Sequence, residues 1–211
     1  MISNKKINTL KVWENNIFAE YTISEIMKYT GKKTKTWTFN TLKMLAKNQI
    51  VKSEKKGNVD IYRLNINSPI VIQTLQHINT QEYFNFPHTE IISKIIETSP
   101  LKSYSLLVFG SYANNKQTKK SDLDLCFLIE NKEDEKKIKP YLNDIKVNTL
   151  IEIDEHYITH KEFEEMLIRH EENLGKQIFR NNKIFFNADI YYQLLKEAHN
   201  HGFRPQRDII P

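Results

Sequence analysis

Asp122 and Asp124 flank Leu123 in the run Ser121-Asp122-Leu123-Asp124-Leu125. Residues two apart on a strand point to one face, so the two carboxylates would project together while Leu123 turns into the core. Anions held that close repel one another unless a cation lies between them. Mg²⁺ suits the arrangement, because it prefers oxygen ligands and combines one or two carboxylates with substrate phosphates and water. Upstream, Phe109-Gly110-Ser111 closes an apolar run and reads as a turn into a short helix. Gly110 would let the backbone approach a phosphate, and Ser111 adds a hydroxyl beside the free N–H groups of a helix start. A phosphate cradle and a pair of metal ligands would then converge on one triphosphate.

An acidic pair alone is as well explained by a solvated strand end; its separation from Gly110-Ser111 decides the reading. The Gly-Ser dipeptide after an apolar strand, nine residues, then Ser-Asp-Leu-Asp-Leu at the head of the next strand resembles the polymerase-β nucleotidyltransferase superfamily, in its minimal branch. The resemblance implies a small mixed sheet with flanking helices, a nucleoside triphosphate substrate with ATP as the first expectation, and two divalent cations, Mg²⁺ or Mn²⁺. It also implies a third carboxylate on a later strand. Glu152 and Asp154 share a strand face in Leu150-Ile151-Glu152-Ile153-Asp154, so parity leaves both open as metal ligands. Glu152 is preferred as the catalytic partner of Asp122 and Asp124, because relatives favour the first position. Gly110, Ser111 and Ser121 would contact the nucleotide, with Ser121 equally well explained as a turn residue. The implied reaction moves a nucleoside monophosphate to a hydroxyl of a protein, an RNA end or a small molecule. The acceptor in that branch can be a toxin–antitoxin partner.

Other chemistry-bearing residues read more blandly. Lys116, Lys119 and Lys120 lie between the two motifs and could meet phosphates or a polyanionic acceptor, or belong to a solvated loop. His156 and His160 are four apart, but straddle an expected strand end and helix start, which suits zinc poorly. Cys126 is the only cysteine, so neither an internal disulfide nor a cysteine zinc site is available. The run Glu133 to Lys137 reads as an exposed helix face.

Elements of mixed α+β character must position these groups. Apolar spacing predicts a helix over 89–98 with Ile91, Ile92, Ile95 and Ile96 on one face. Strands are expected over 104–109, 123–129 and 150–157, with a short one over 183–186. Helices are expected over 133–145, kinked or divided at Pro140, over 160–172 with Phe163, Met166 and Leu167 inward, and over 188–200. Before them lies a different pattern: helices over 7–18, 24–30 and 36–48, then two strands around Lys55-Lys56-Gly57-Asn58. Thr22 or Ser24 can cap the second helix and Gly31 can end it. Phe39, Leu42 and Leu45 mark one face of the third. Three helices and a basic-tipped hairpin resemble a winged helix-turn-helix over about residues 5–66. That resemblance implies double-stranded DNA contact by Lys32, Lys33, Lys35, Thr36, Thr38, Asn40, Lys43, Lys55 and Lys56. The domain expectation is a winged helix-turn-helix over 1–78, a linker over 79–88, and a nucleotidyltransferase domain with C-terminal helices over 89–211.

Charge follows the same division. Residues 1–87 hold 13 Lys and Arg against 6 Asp and Glu, leaving 18 against 20 in the remainder, for a net charge of +5. A basic excess confined to one part suits a polyanion partner there. With 39% hydrophobic residues, the chain can fill a core. No apolar run approaches the roughly 18 residues of a membrane helix, so the expectation is a soluble cytoplasmic protein without membrane contact. The competing functional reading is a DNA-binding regulator whose second part binds a nucleotide without turning it over.

Overall fold

The computed structural model describes residues 3–32 and 34–205, with only the backbone described at residue 82. The chain forms two compact units, one built on residues up to Ile78 and the other from Asn79 to Arg204.

The first unit opens with α1 (Asn4–Ile7) and a 3₁₀ segment over Asn8–Trp13, where a single helix over 7–18 was expected. Its buried residues, Thr9, Leu10, Val12 and Trp13, recur at three-residue intervals, which a three-residue turn places on one side. β1 (Tyr21–Thr22) follows, then α2 (Ile23–Thr30). Thr22 caps α2 in a reciprocal capping box with Glu25, and Gly31 ends it at φ +62°. α3 (Lys35–Lys47) buries Thr38, Thr41, Leu42 and Leu45. Phe39, expected inside, is exposed, because the buried stripe runs through the two threonines. Leu42 and Leu45 are fully buried, each worth about 1.5–3 kcal/mol. β2 (Val51–Lys56) and β3 (Val59–Leu64) pair antiparallel through Lys56 opposite Val59. Gly57 turns the hairpin at φ +62°. The sheet order is β1-β3-β2.

α4 (Pro69–Phe84) runs into the stretch expected as a linker, whose residues 79–84 form its last turns. Val71, Leu75 and Ile78 give it a buried face at helical spacing that the polar residues between them obscure.

The second unit is a four-stranded sheet with helices on both faces. In chain order it comprises α5 (Thr89–Thr98), β4 (Ser105–Phe109), α6 (Gly110–Ala113), β5 (Leu123–Ile129), α7 (Lys132–Val147), β6 (Ile153–Thr159), α8 (His160–Ile168), α9 (Leu174–Arg180), β7 (Asn182–Phe186) and α10 (Ala188–Asn200). The strand order is β6-β5-β4-β7. β5 and β6 run parallel, while β4 is antiparallel to both β5 and β7.

One face of the sheet carries Leu106, Val108, Leu123, Leu125, Phe127, Ile129 and Ile153, packed with Ile92 and Ile95 of α5 and Ile138, Leu142 and Ile145 of α7. That apolar stripe holds α7 continuous through Pro140. β6 starts three residues later than expected, because its register is set by Leu123 opposite Ile153, and Leu150 is left fully exposed. α8 ends at Ile168 rather than at 172, and α9 follows as a separate helix. Phe163 and Leu167 are buried while Met166 is half-buried. Among the described residues no helix is long and apolar enough to cross a membrane.

Candidate active site

The site begins where β4 ends. Phe109 is extended, and Gly110 then turns the chain at φ +66° into α6. A Cβ on Gly110 would lie 2.1 Å from Asp124 Oδ2 and 2.9 Å from its Cγ. No side chain fits there, so glycine is required twice over: by the left-handed backbone and by the carboxylate packed against it. The Ser111 backbone N–H donates to that same carboxylate. The Gly-Ser turn thus grips the second aspartate of the downstream motif.

Asp124 sits on β5 directly opposite Asp154 of β6, its partner in the parallel register. Paired residues on neighbouring strands project from the same face, here the face opposite the α5–α7 layer. Asp122 lies two residues back, just before β5 begins, close enough for its charge to act on Asp124. Asp124 is half-buried, and its carboxyl is held above the ordinary carboxylate range. Burial is the largest cause, followed by repulsion from Asp154 and then from Asp122; His156 and the Ser111 N–H pull the other way. Two carboxylates near enough to disfavour the charge of a third, Asp124, form an arrangement that a bound cation relieves.

His156 joins the cluster from the next same-face position of β6. Its Nε2 lies 3.3 Å from Asp154 Oδ2, and its ring stands against Phe109, with centroids 5.5 Å apart. Sequence reasoning weighed this histidine only as a zinc ligand paired with His160. The signal that could have found it was its spacing of two from Asp154 on the same strand.

The other expected residues are placed as follows. Glu152 precedes β6, and its backbone carbonyl accepts from the Leu123 N–H at 2.8 Å. Its side chain is exposed and lines a cavity with Asp122, while Asp154 holds the position opposite Asp124. The Ser121 hydroxyl accepts from the Thr118 N–H at 2.9 Å, which braces the turn before β5. In the first unit, Lys35, Thr36, Asn40 and Lys43 are exposed on α3, whereas Thr38 is buried and cannot reach a base edge. The Lys32 ammonium stands 5.0 Å from the centroid of the Trp37 ring. Lys55 and Lys56 are exposed on the hairpin, with Lys56 paired to Glu20 at 2.6 Å. Lys33 lies outside the described residues. Cys126, buried in β5, has its thiol pushed up by burial.

Among the described residues no group of three or more His, Cys, Asp or Glu is gathered closely enough to stand as a ready-made metal site. The donor chemistry of Asp122, Asp124 and Asp154 nonetheless fits a hard divalent cation. It is all oxygen, at strand ends, and its like charges crowd.

Neither the curated proteins nor the solved structures searched gave a match. Residues 89–187, from α5 through β7, match the family model described as the nucleotidyltransferase domain. That match supports placing this stretch of the chain in the polymerase-β-like nucleotidyltransferase superfamily, and with it a transferase that uses a nucleoside triphosphate.

Proposed function

We propose that the second unit is a metal-dependent nucleotidyltransferase that moves a nucleoside monophosphate from a triphosphate, with ATP the first candidate, to a hydroxyl acceptor. The observation that carries the proposal is the grip of Gly110 and Ser111 on Asp124, with Asp154 opposite it in the register. Asp122, Asp124 and Asp154 would hold the cation, Mg²⁺ or Mn²⁺. When bound, it would supply charge neutralisation for the triphosphate and for the pyrophosphate that leaves. Asp154 is the better third carboxylate, because the register sets it against Asp124 and its charge acts on that carboxyl, whereas Glu152 lies before β6.

In the reaction the acceptor oxygen forms a bond to the α-phosphorus as the bond from that phosphorus to the bridging oxygen of pyrophosphate breaks. Pyrophosphate leaves with the electron pair. The hydroxyl proton passes to Asp154, which His156 orients through its 3.3 Å contact, and from there to water. Gly110 and Ser111 hold Asp124 in place.

The first unit reads as a winged helix-turn-helix that contacts double-stranded DNA. Support comes from the order of helices and strands, the β1-β3-β2 sheet, and the exposure of Lys35, Asn40, Lys43 and Lys55. That basic surface also favours a second reading, a DNA-binding regulator for which the nucleotide is a ligand. One experiment separates the two. Pyrophosphate release is followed from each triphosphate with Mg²⁺ or Mn²⁺, with candidate acceptors present. The enzyme reading requires release that Asp122→Ala and Asp124→Ala abolish. Nucleotide binding without release from any triphosphate supports the regulator.

A further inference from the structure

The second unit carries a cavity of about 690 Å³ beside the carboxylates, lined by Lys119, Lys120, Asp122 and Glu152 on its polar side. Its size falls within the roughly 300–1,000 Å³ of small-molecule sites. Asp124, Asp154 and His156 do not line it; Asp122 is where it meets them. Ile91 and Ile151, both packed on the α5–α7 core, form its apolar wall with Leu150. Leu150 is fully exposed, an apolar side chain held in water at the mouth of the cavity.

His88 and Tyr112 close the inner end, with His88 Nε2 3.1 Å from the Tyr112 hydroxyl. Lys119 and Lys120 are exposed, and among the described residues neither ammonium pairs with a carboxylate. The cavity therefore combines two available cations with an apolar wall, and two carboxylates lie at the edge it shares with the site.

An in-line displacement brings the entering oxygen to phosphorus from the side opposite the leaving pyrophosphate. Donor and acceptor therefore need separate places that flank the same carboxylates. Gly110, Asp124 and Asp154 mark the donor's place, and the cavity adjoins it at Asp122.

Resting on the nucleotidyl-transfer reading, we propose that this cavity is the acceptor site, and that the acceptor is a phosphate-bearing alcohol. Its phosphate pairs with Lys119 and Lys120, its apolar part lies on Leu150 and Ile151, and its hydroxyl is directed toward Asp122. Two sources share this chemistry: a free phosphorylated small molecule, and the 3′ end of a nucleic acid.

The test measures binding directly. Fluorescence anisotropy of a labelled short oligoribonucleotide with a free 3′ hydroxyl, and calorimetry with a nucleoside 5′-monophosphate, are run on the full chain and on Lys119→Ala/Lys120→Ala. A non-hydrolysable triphosphate with Mg²⁺ is titrated separately into both proteins. To keep the basic first unit out of the reading, the oligoribonucleotide is also titrated into Lys43→Ala/Lys55→Ala.

Loss of the two cavity lysines is expected to weaken one or both phosphate-bearing probes by roughly 10- to 100-fold, with triphosphate affinity unchanged within about twofold. Weakening of the monophosphate assigns a small molecule, and weakening of the oligoribonucleotide alone assigns a nucleic-acid end. Equal binding by the wild-type chain and the cavity variant overturns the proposal, as does a matching loss of triphosphate affinity, which would make these lysines part of the donor site. If neither probe binds the wild-type chain, the phosphate-bearing class is wrong and a protein hydroxyl takes its place. Failure of the wild-type chain to bind triphosphate at all would instead refute the nucleotidyl-transfer reading.

Discussion

Gly110→Ala isolates the contact on which the site is built. The added methyl would stand 2.1 Å from Asp124 Oδ2 and 2.9 Å from Cγ, so the carboxylate must leave its place or the turn must open. A non-glycine residue at the left-handed φ of +66° costs about 1–2 kcal/mol. Forcing a methyl into an occupied space adds about 1–3 kcal/mol. For a chain of this size each kcal/mol lowers the melting temperature by about 2–4 °C, so the expected fall is roughly 5–15 °C. A double-mutant cycle divides the two contributions. In an Asp124→Ala background the clash disappears and only the backbone cost, about 1–2 kcal/mol, should remain. Circular dichroism melts of the four proteins at one pH give the coupling directly. Equal cost of Gly110→Ala in both backgrounds would refute the reasoning, because Asp124 would then have no part in requiring glycine.

Three further outcomes follow. Asp124 has its carboxyl raised above its ordinary value of 3.8, chiefly by burial. Its ionisation therefore opposes folding, and the stability it contributes when protonated is present below pH 3.8 and lost as pH rises through the folded-state value. Asp124→Asn should thus melt higher than wild type at pH 7 without divalent cations, and the gain should vanish below about pH 3.8; a lower melting point at pH 7 would contradict the crowding described. Asp154→Asn should lower the transfer rate by roughly 100-fold or more, while Glu152→Gln changes it only a few-fold. Steady-state kinetics showing the reverse would return the third position to Glu152. Duplex DNA binding by the full chain should weaken steeply between about 50 and 200 mM salt, and Lys43→Ala/Lys55→Ala should flatten that dependence. An unchanged slope would remove α3 and the hairpin from the interface.

Much of the site was legible because its first half is local. Gly110, Ser111, Asp122 and Asp124 lie in two short motifs whose elements, a strand end and a strand start, could be read from apolar spacing. The choice between Glu152 and Asp154 was not, since they have the same parity and only the pairing of β5 with β6, which sets Asp154 opposite Asp124, distinguishes their positions. Register is a long-range property, fixed by which apolar residues of two distant strands meet in the core. The same pairing moved the start of β6 from the expected 150 to Ile153.

In the first unit the capped helix α2 and the glycine-turned hairpin follow local chemistry. The reading of Phe39 as a core residue failed because α3 buries Thr38 and Thr41 instead, a choice made by what packs against the helix rather than by hydrophobicity. The helix over 69–84 was obscured by the polar run that ends it. Val71, Leu75 and Ile78 carry its pattern, and Gln81 to Phe84 merely extend it.

The central claim, that Asp124 and Asp154 serve transfer of a nucleoside monophosphate, is tested most directly by the fate of two labels on one triphosphate. The protein is incubated with a divalent cation and phosphate-bearing acceptors, once with α-labelled and once with γ-labelled triphosphate. The account predicts that the α label appears on the acceptor and the γ label in free pyrophosphate, and that Asp124→Ala abolishes both. The γ label on the acceptor, or transfer that survives Asp124→Ala, would contradict it.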